Sequence, residues 1–246
     1  SFYLAAVQLL PYEPAWGALA GVRPTKISTK HILQGGTAKS ASKLLKDVYY
    51  VTPERRKLAV DCSESTVNAA HLLEDTDVSL YVGIPFCPTR CTYCSFVSRT
   101  VGKKYELLNP YLEALLKEIE ITGRLLAESG KYVRTVYIGG GTPTTLTAPQ
   151  LETLLSTVAS RIDTSKLEEY TLEAGRPDTI EADKLAIAKR FGVNRMSVNA
   201  QSLCDEVLVR IGRAHSVDSF YEAYHIARES GIQFINTDLI AGLPGD

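Results

Sequence analysis

The chain has 246 residues, of which 45% are hydrophobic and 22% charged, enough apolar material for one substantial domain and a smaller appendage. Its 27 basic and 28 acidic residues nearly cancel, which argues against a nucleic-acid-binding surface or an acidic tail. The most apolar N-terminal stretch, residues 2–10, is about half as long as the ~20 residues of a spanning helix, and no basic region or small-residue cleavage site flanks it. A cytoplasmic chain with no membrane span is therefore expected.

In chain order, residues 1–78 read as a mainly helical extension. Thr37 opens a helix that runs to about residue 48, and Thr52-Pro53-Glu54 places an N-cap before a proline at the first helical position of another, running to about residue 73. From residue 79 to 246 strands and helices alternate. Strands are expected at 80–84, 135–138, 169–173, 194–199 and 234–240. Asn109-Pro110 opens a helix whose Leu112, Leu115, Leu116, Ile119 and Leu126 keep helical spacing, and Gly130 closes it. Thr147, Thr179 and Ser216 are the expected caps of three more helices. Five strands separated by four helical segments imply a parallel α/β sheet, either doubly wound or part of a βα barrel. Ser1 at the start, a single methionine at Met196, and an end at Asp246 just beyond Gly245 suggest a piece of a longer protein.

Each distinctive polar cluster of the second part falls at the C-terminal end of an expected strand. Cysteines follow the first and Gly139-Gly140-Gly141-Thr142-Pro143-Thr144 the second. Glu173 ends the third, Asn199 and Gln201 the fourth, and Asp238 lies near the end of the fifth. In parallel α/β folds that edge collects ligands and catalytic groups. The glycine run fits neither Gly-x-Gly-x-x-Gly nor a Walker loop; it is a tight turn or a place where backbone approaches a ligand closely. On the fourth strand, alternation puts Arg195, Ser197 and Asn199 on one face and Met196, Val198 and Ala200 on the other.

Five cysteines, odd in number, do not suggest a disulfide framework. Cys62 and Cys204 stand apart and are expected to be ordinary buried residues. Cys87, Cys91 and Cys94 form Cys-x3-Cys-x2-Cys. Zinc would need a fourth ligand from elsewhere, such as Cys62 or a histidine. An iron–sulfur cube held by three thiolates instead leaves one iron open to a further ligand.

The stretches "YVGIPFCPTRCTYCSF" (81–96), "VYIGGGTPT" (136–144), "NRMSVNAQS" (194–202), "IGRAH" (211–215) and "TDLIAGLPG" (237–245) together resemble the radical S-adenosylmethionine enzymes. Among them the match is to the oxygen-independent coproporphyrinogen III oxidase (dehydrogenase) group, and "WGALAGVRPTKI" (16–27) resembles the N-terminal extension of one of its branches. The implied fold is a partial (βα)6 three-quarter TIM-like barrel, truncated after the fifth strand, without the sixth strand and the C-terminal domain that encloses substrate.

The resemblance implies that Cys87, Cys91 and Cys94 ligate a 4Fe-4S cluster whose open iron binds S-adenosyl-L-methionine. Tyr93 would touch the adenine. Tyr81 would lie near cluster and cofactor, with an inward-packing strand aromatic as the alternative. Gly140, Gly141 and Thr142 would cradle the amino-acid half of the cofactor and Glu173 would contact it. Gln201, Arg213 and Asp238 would hold the ribose, the carboxylate and the adenosine region. After Glu173, Ala174-Gly175-Arg176-Pro177 departs from the family's more usual Ala-Asn-Pro, and His215 reads as a loop histidine rather than a catalyst.

The implied reaction begins with one-electron cleavage of the cofactor and hydrogen abstraction from a propionate of coproporphyrinogen III, and ends with loss of carbon dioxide and a vinyl group. It would draw on an electron-donor protein, an outside electron acceptor and a small tetrapyrrole substrate, in porphyrin and haem biosynthesis. Phe96 occupies the position where established oxidases often carry a fourth cysteine. A haem-delivery protein of the same family, or a radical enzyme with another substrate, are the alternatives.

Overall fold

A computed structural model of the chain describes residues 2–20, 23–96, 98–100 and 106–246; Gly21 and Val22 of the 16–27 stretch lie outside the described residues. The chain divides into two compact units, Ser1–Asp75 and Thr76–Asp246.

The first unit is helical: α1 (Phe2–Val7), α2 (Thr25–Leu33), α3 (Ala38–Asp47) and α4 (Pro53–His71). Thr37 caps α3 in a reciprocal box with Ser40, whose hydroxyl accepts from the Thr37 N–H. Thr52 takes the N-cap position and Pro53 starts α4, as expected, though the Thr52 hydroxyl makes no capping bond and donates to Ala15 O at 3.0 Å. Ala41, Leu45, Val51, Ala59 and Val60 form the unit's apolar core. Cys62 corrects the expectation of burial. The inward face of α4 runs through Ala59, Val60, Ser63 and Val67, so helical periodicity turns Cys62 to the exposed side.

The second unit contains β1 (Asp77–Ile84), β2 (Phe86–Cys87), β3 (Arg99–Thr100), α5 (Leu108–Glu128), β4 (Tyr132–Gly140), α6 (Ala148–Arg161), β5 (Glu169–Glu173), α7 (Ala182–Arg190), β6 (Arg195–Ser197), α8 (Asp205–Arg210), α9 (Val217–Glu229) and β7 (Phe234–Asn236). Five of these strands form one parallel sheet in the order β1-β4-β5-β6-β7. A doubly wound sheet would reverse direction at a switch point. This order never reverses, so the sheet is of the partial TIM-like barrel type. The pair β2–β3 and the helix α8 were not anticipated.

One face of the sheet is apolar: Val82, Ile84, Val136, Ile138, Leu172 and Met196 pack against helix residues that include Leu112, Leu115, Leu151, Leu154 and Leu185. The other is polar and aromatic. Register aligns Tyr81 with Tyr137, Tyr137 with Thr171 and Thr171 with Arg195, and Arg195 pairs with Glu169 at 3.0 Å. Along β6 and its extension Met196, Val198 and Ala200 join the apolar core while Asn199 lines the cavity, as the expected alternation requires, although Ser197 and Asn199 are buried too.

Two expected boundaries move for identifiable reasons. Thr179 does not cap α7. It ends a short 3-10 turn, Pro177–Thr179, because its hydroxyl already donates to Arg176 O at 2.8 Å and meets Thr144 Oγ1 at 2.6 Å. The last two strands are shorter than expected, yet the contact between their extensions continues irregularly, with Gln201 N donating to Asp238 O and Ile240 N to Gln201 O, both at 2.9 Å.

Candidate cofactor and cluster site

The cysteine loop leaves the C-terminal end of β1 and is held from both sides. Thr92 N donates to Ile211 O at 3.0 Å and Thr89 Oγ1 to Gly212 O at 3.3 Å, which joins it to the loop after α8. Thr142 N donates to Phe86 O at 2.7 Å and Gly141 N to Ile84 O at 2.8 Å, which joins it to the end of β4. Gly141 makes that approach possible: a β-carbon there would lie 2.6 Å from Phe86 O and 2.9 Å from Cys87 Sγ. Gly140 adopts φ +110°, a backbone state open to glycine. Of the two readings of the glycine run, close approach is therefore the one observed.

Cys87, Cys91 and Cys94 are all free and partly accessible, and they line one cavity. Gly140, Gly141 and Thr142 line the same cavity, as do Glu173 and Gln201. Tyr93, Arg213 and Asp238 complete the set. Tyr81 is the one expected site residue that does not line it. It is 59% exposed on the polar face of the sheet and stacks on Tyr137, ring centroids 5.8 Å apart. Cys204 stands apart as the N-cap residue of α8, partly buried beside Val207 and Leu208.

Two cysteine sulfurs have hydrogen-bond donors: Thr142 Oγ1 at 3.5 Å from Cys87 Sγ and Arg176 Nη1 at 3.1 Å from Cys91 Sγ. Arg176 was not anticipated as a site residue; its only signal in the sequence is the departure at 174–177. Asn199, also unassigned, lines the cavity and accepts from Asp238 N at 3.2 Å. Gln201 sits at φ +66°, a strained state for a residue with a side chain.

Burial holds the Glu173 carboxyl above the usual carboxylate range; a hydrogen bond from Gly140 N at 3.1 Å opposes this and the charge of Asp238 adds to it. Burial, with the Glu173 charge second, pushes the Tyr137 phenol up to about 12. Burial raises Tyr93 as well, against the hydrogen bond and charge of Arg213. His215 is lowered, first by burial and then by Arg213; its Nε2 lies 3.2 Å from Ala200 O, which suits a supporting role.

A single zinc ion with Zn–S bonds of about 2.3 Å would draw its thiolates tightly together. Among the described residues no three His, Cys, Asp or Glu side chains are grouped to hold one metal ion. A cube bound by three thiolates fits a set of three sulfurs that line one cavity, two of them with hydrogen-bond donors.

Residues 81–246 match the Radical SAM superfamily. The chain belongs to the radical SAM superfamily.

Radical SAM proteins use a 4Fe-4S cluster and S-adenosylmethionine. Over 235 residues, 94% of its length, this chain is 40% identical to the oxygen-independent coproporphyrinogen-III oxidase-like protein HemZ of Bacillus subtilis. Over 167 residues, 68% of the chain, it is 38% identical to the heme chaperone HemW of Escherichia coli. The match spans 47% of the first relative and 43% of the second, so the chain corresponds to about half of each. Among solved structures, the coproporphyrinogen III oxidase HemN of Escherichia coli, described as a radical SAM enzyme, aligns with a TM-score of 0.62 at 30% identity. That alignment covers 74% of this chain and 41% of HemN. No helix among the described residues is long and apolar enough to cross a membrane.

Proposed function

We propose that the chain is the cofactor-binding part of a radical S-adenosylmethionine oxidoreductase acting on a tetrapyrrole, with coproporphyrinogen III decarboxylated at its propionates as the reaction. The observation that carries this reading is convergence: residues from the ends of β1, β4 and β5 and from the loops beyond β6, α8 and β7 line the one cavity that the three cysteines share.

In this reading Cys87, Cys91 and Cys94 hold the cluster. Gly140 and Gly141 offer backbone, and Thr142 a hydroxyl, to the amino-acid half of S-adenosylmethionine. Arg213 takes its carboxylate, and Glu173 supplies the negative charge that a cationic cofactor favours. Tyr93 lies against the adenine, while Gln201 and Asp238 hold the ribose and adenosine region. When bound, cluster and cofactor together supply the one-electron chemistry that removes a hydrogen atom from the substrate. Tyr81 and Tyr137, stacked on the polar face of the sheet, offer a flat aromatic surface next to Glu173. An electron-donor protein, an outside electron acceptor and a cytoplasmic setting belong to the same proposal.

Haem delivery is the second reading, favoured by the similarity to HemW chaperones and by Phe96 at the position where oxidases often have a fourth cysteine. Product analysis separates the two. The reconstituted full-length protein, reduced without oxygen and given cofactor, coproporphyrinogen III and an electron acceptor for the electron left after decarboxylation, releases carbon dioxide and forms vinyl groups on the first reading. Tight haem binding with no decarboxylation supports the second.

A further inference from the structure

Arg176, in the loop after β5, is only 3% exposed although it carries a permanent charge. A buried guanidinium is costly unless its donors and its charge are both satisfied. Asp178 Oδ1 stands 3.8 Å from Nε, beyond hydrogen-bond reach, and Nε has no hydrogen-bond partner among the described residues. The other two nitrogens turn to the cysteine loop. Nη1 donates to Cys91 Sγ at 3.1 Å, and Nη2 donates to Thr89 O at 3.3 Å and to the Thr89 hydroxyl.

The arginine is anchored from behind. Its carbonyl accepts from Thr179 Oγ1 at 2.8 Å and from Thr179 N at 3.0 Å. Thr179 meets the Thr144 hydroxyl at 2.6 Å, and Lys184 Nζ donates to Thr144 O at 2.9 Å. The Arg176 backbone is thus tied to the segment after the glycine-rich loop, and its guanidinium to the cysteine loop, with one nitrogen on Cys91 Sγ.

Three thiolates around an iron–sulfur cube make an anionic ensemble, a second counter-charge for Arg176 beside the more distant carboxylate of Asp178. We infer that Arg176 is a positioning residue for that cluster: it pins the segment from Thr89 to Cys91 and, by donating to Cys91 Sγ, raises the cluster's reduction potential. The inference rests on the cluster reading above. Hydrogen bonds to cluster sulfurs and net charge are among the levers that set such potentials, and a donor or a cation favours the electron-richer reduced state.

The test is a potentiometric titration of the full-length protein, reconstituted without oxygen and followed by electron paramagnetic resonance, as wild type, Arg176→Lys and Arg176→Met. With equal iron content, the Met variant reduces at a more negative potential than wild type, and the Lys variant, which keeps the charge, falls between them. A fully loaded Met variant at the wild-type potential overturns the inference. A Met variant that takes up little iron, while its metal-free form melts at the wild-type temperature, supports the pinning role, and one that loses iron and fold together overturns it. A wild-type protein that takes up no cluster defeats the functional reading first, and the wild-type control tells that failure apart.

Discussion

Two guanidinium nitrogens of Arg213 hold the phenol oxygen of Tyr93, at 3.3 and 3.0 Å, and so tie the loop after α8 to the cysteine loop. A third nitrogen donates to Gly175 O at 2.7 Å, which brings in the loop after β5. Because this arginine also faces the proposed carboxylate of the cofactor, Arg213→Gln is expected to weaken S-adenosylmethionine binding by roughly tenfold or more, the worth of a charged hydrogen bond. Calorimetric titration of the reconstituted protein reads this directly, and an unchanged affinity would contradict the assignment.

Gly141→Ala tests the close approach of β4 to the cysteine loop. The added β-carbon would stand 2.6 Å from Phe86 O, a backbone atom that cannot swing aside. Overpacking of this kind costs about 1–3 kcal/mol. Chemical denaturation of the metal-free variant should show that loss, and reconstitution should give less iron per chain than wild type.

The Glu173 carboxyl, raised by burial above its ordinary value of 4.5, gives a pH test with a defined sign. Between the unfolded and folded pKa values the folded chain binds more protons, so this group's contribution to stability falls as pH rises through that window. Glu173→Gln removes the cost of burying the ionised form. The metal-free variant is expected to match or exceed wild type near neutral pH and to lose its advantage below 4.5. Its affinity for S-adenosylmethionine should fall and lose the rise with pH that wild type shows. Denaturation curves and binding isotherms across that range check both parts.

Tyr170 is 2% exposed, and its hydroxyl has no hydrogen-bond partner among the described residues. An unpaired buried hydroxyl costs about 1–3 kcal/mol, whereas an apolar replacement of the same shape does not. Tyr170→Phe should therefore raise the melting temperature without altering iron content; a lower melting temperature would show that the hydroxyl is satisfied.

Much of this arrangement was legible in the residues. Periodicity in Leu112, Leu115 and Ile119, and alternation in Met196, Val198 and Ala200, depend on local geometry that sequence records directly. Tertiary competition hid the rest. Thr179 looks like a cap until Thr144 and Arg176 O claim its hydroxyl. Cys62 looks like a core residue until the phase of α4 is known. Nothing near Arg176 in the chain signals that Cys91, 85 positions earlier, will accept from it. The positive φ of Gln201 likewise accompanies backbone hydrogen bonds with Asp238 and Ile240 that only the folded chain creates.

The most direct measurement is made without oxygen: reconstitute the full-length protein with iron and sulfide, count both, reduce it, add S-adenosylmethionine and assay deoxyadenosine with and without coproporphyrinogen III. The expected result is about four irons and four sulfides per chain, lost in Cys91→Ala, with deoxyadenosine that increases when substrate is present. A protein that binds no cluster, or that leaves the cofactor intact when reduced, would contradict the account.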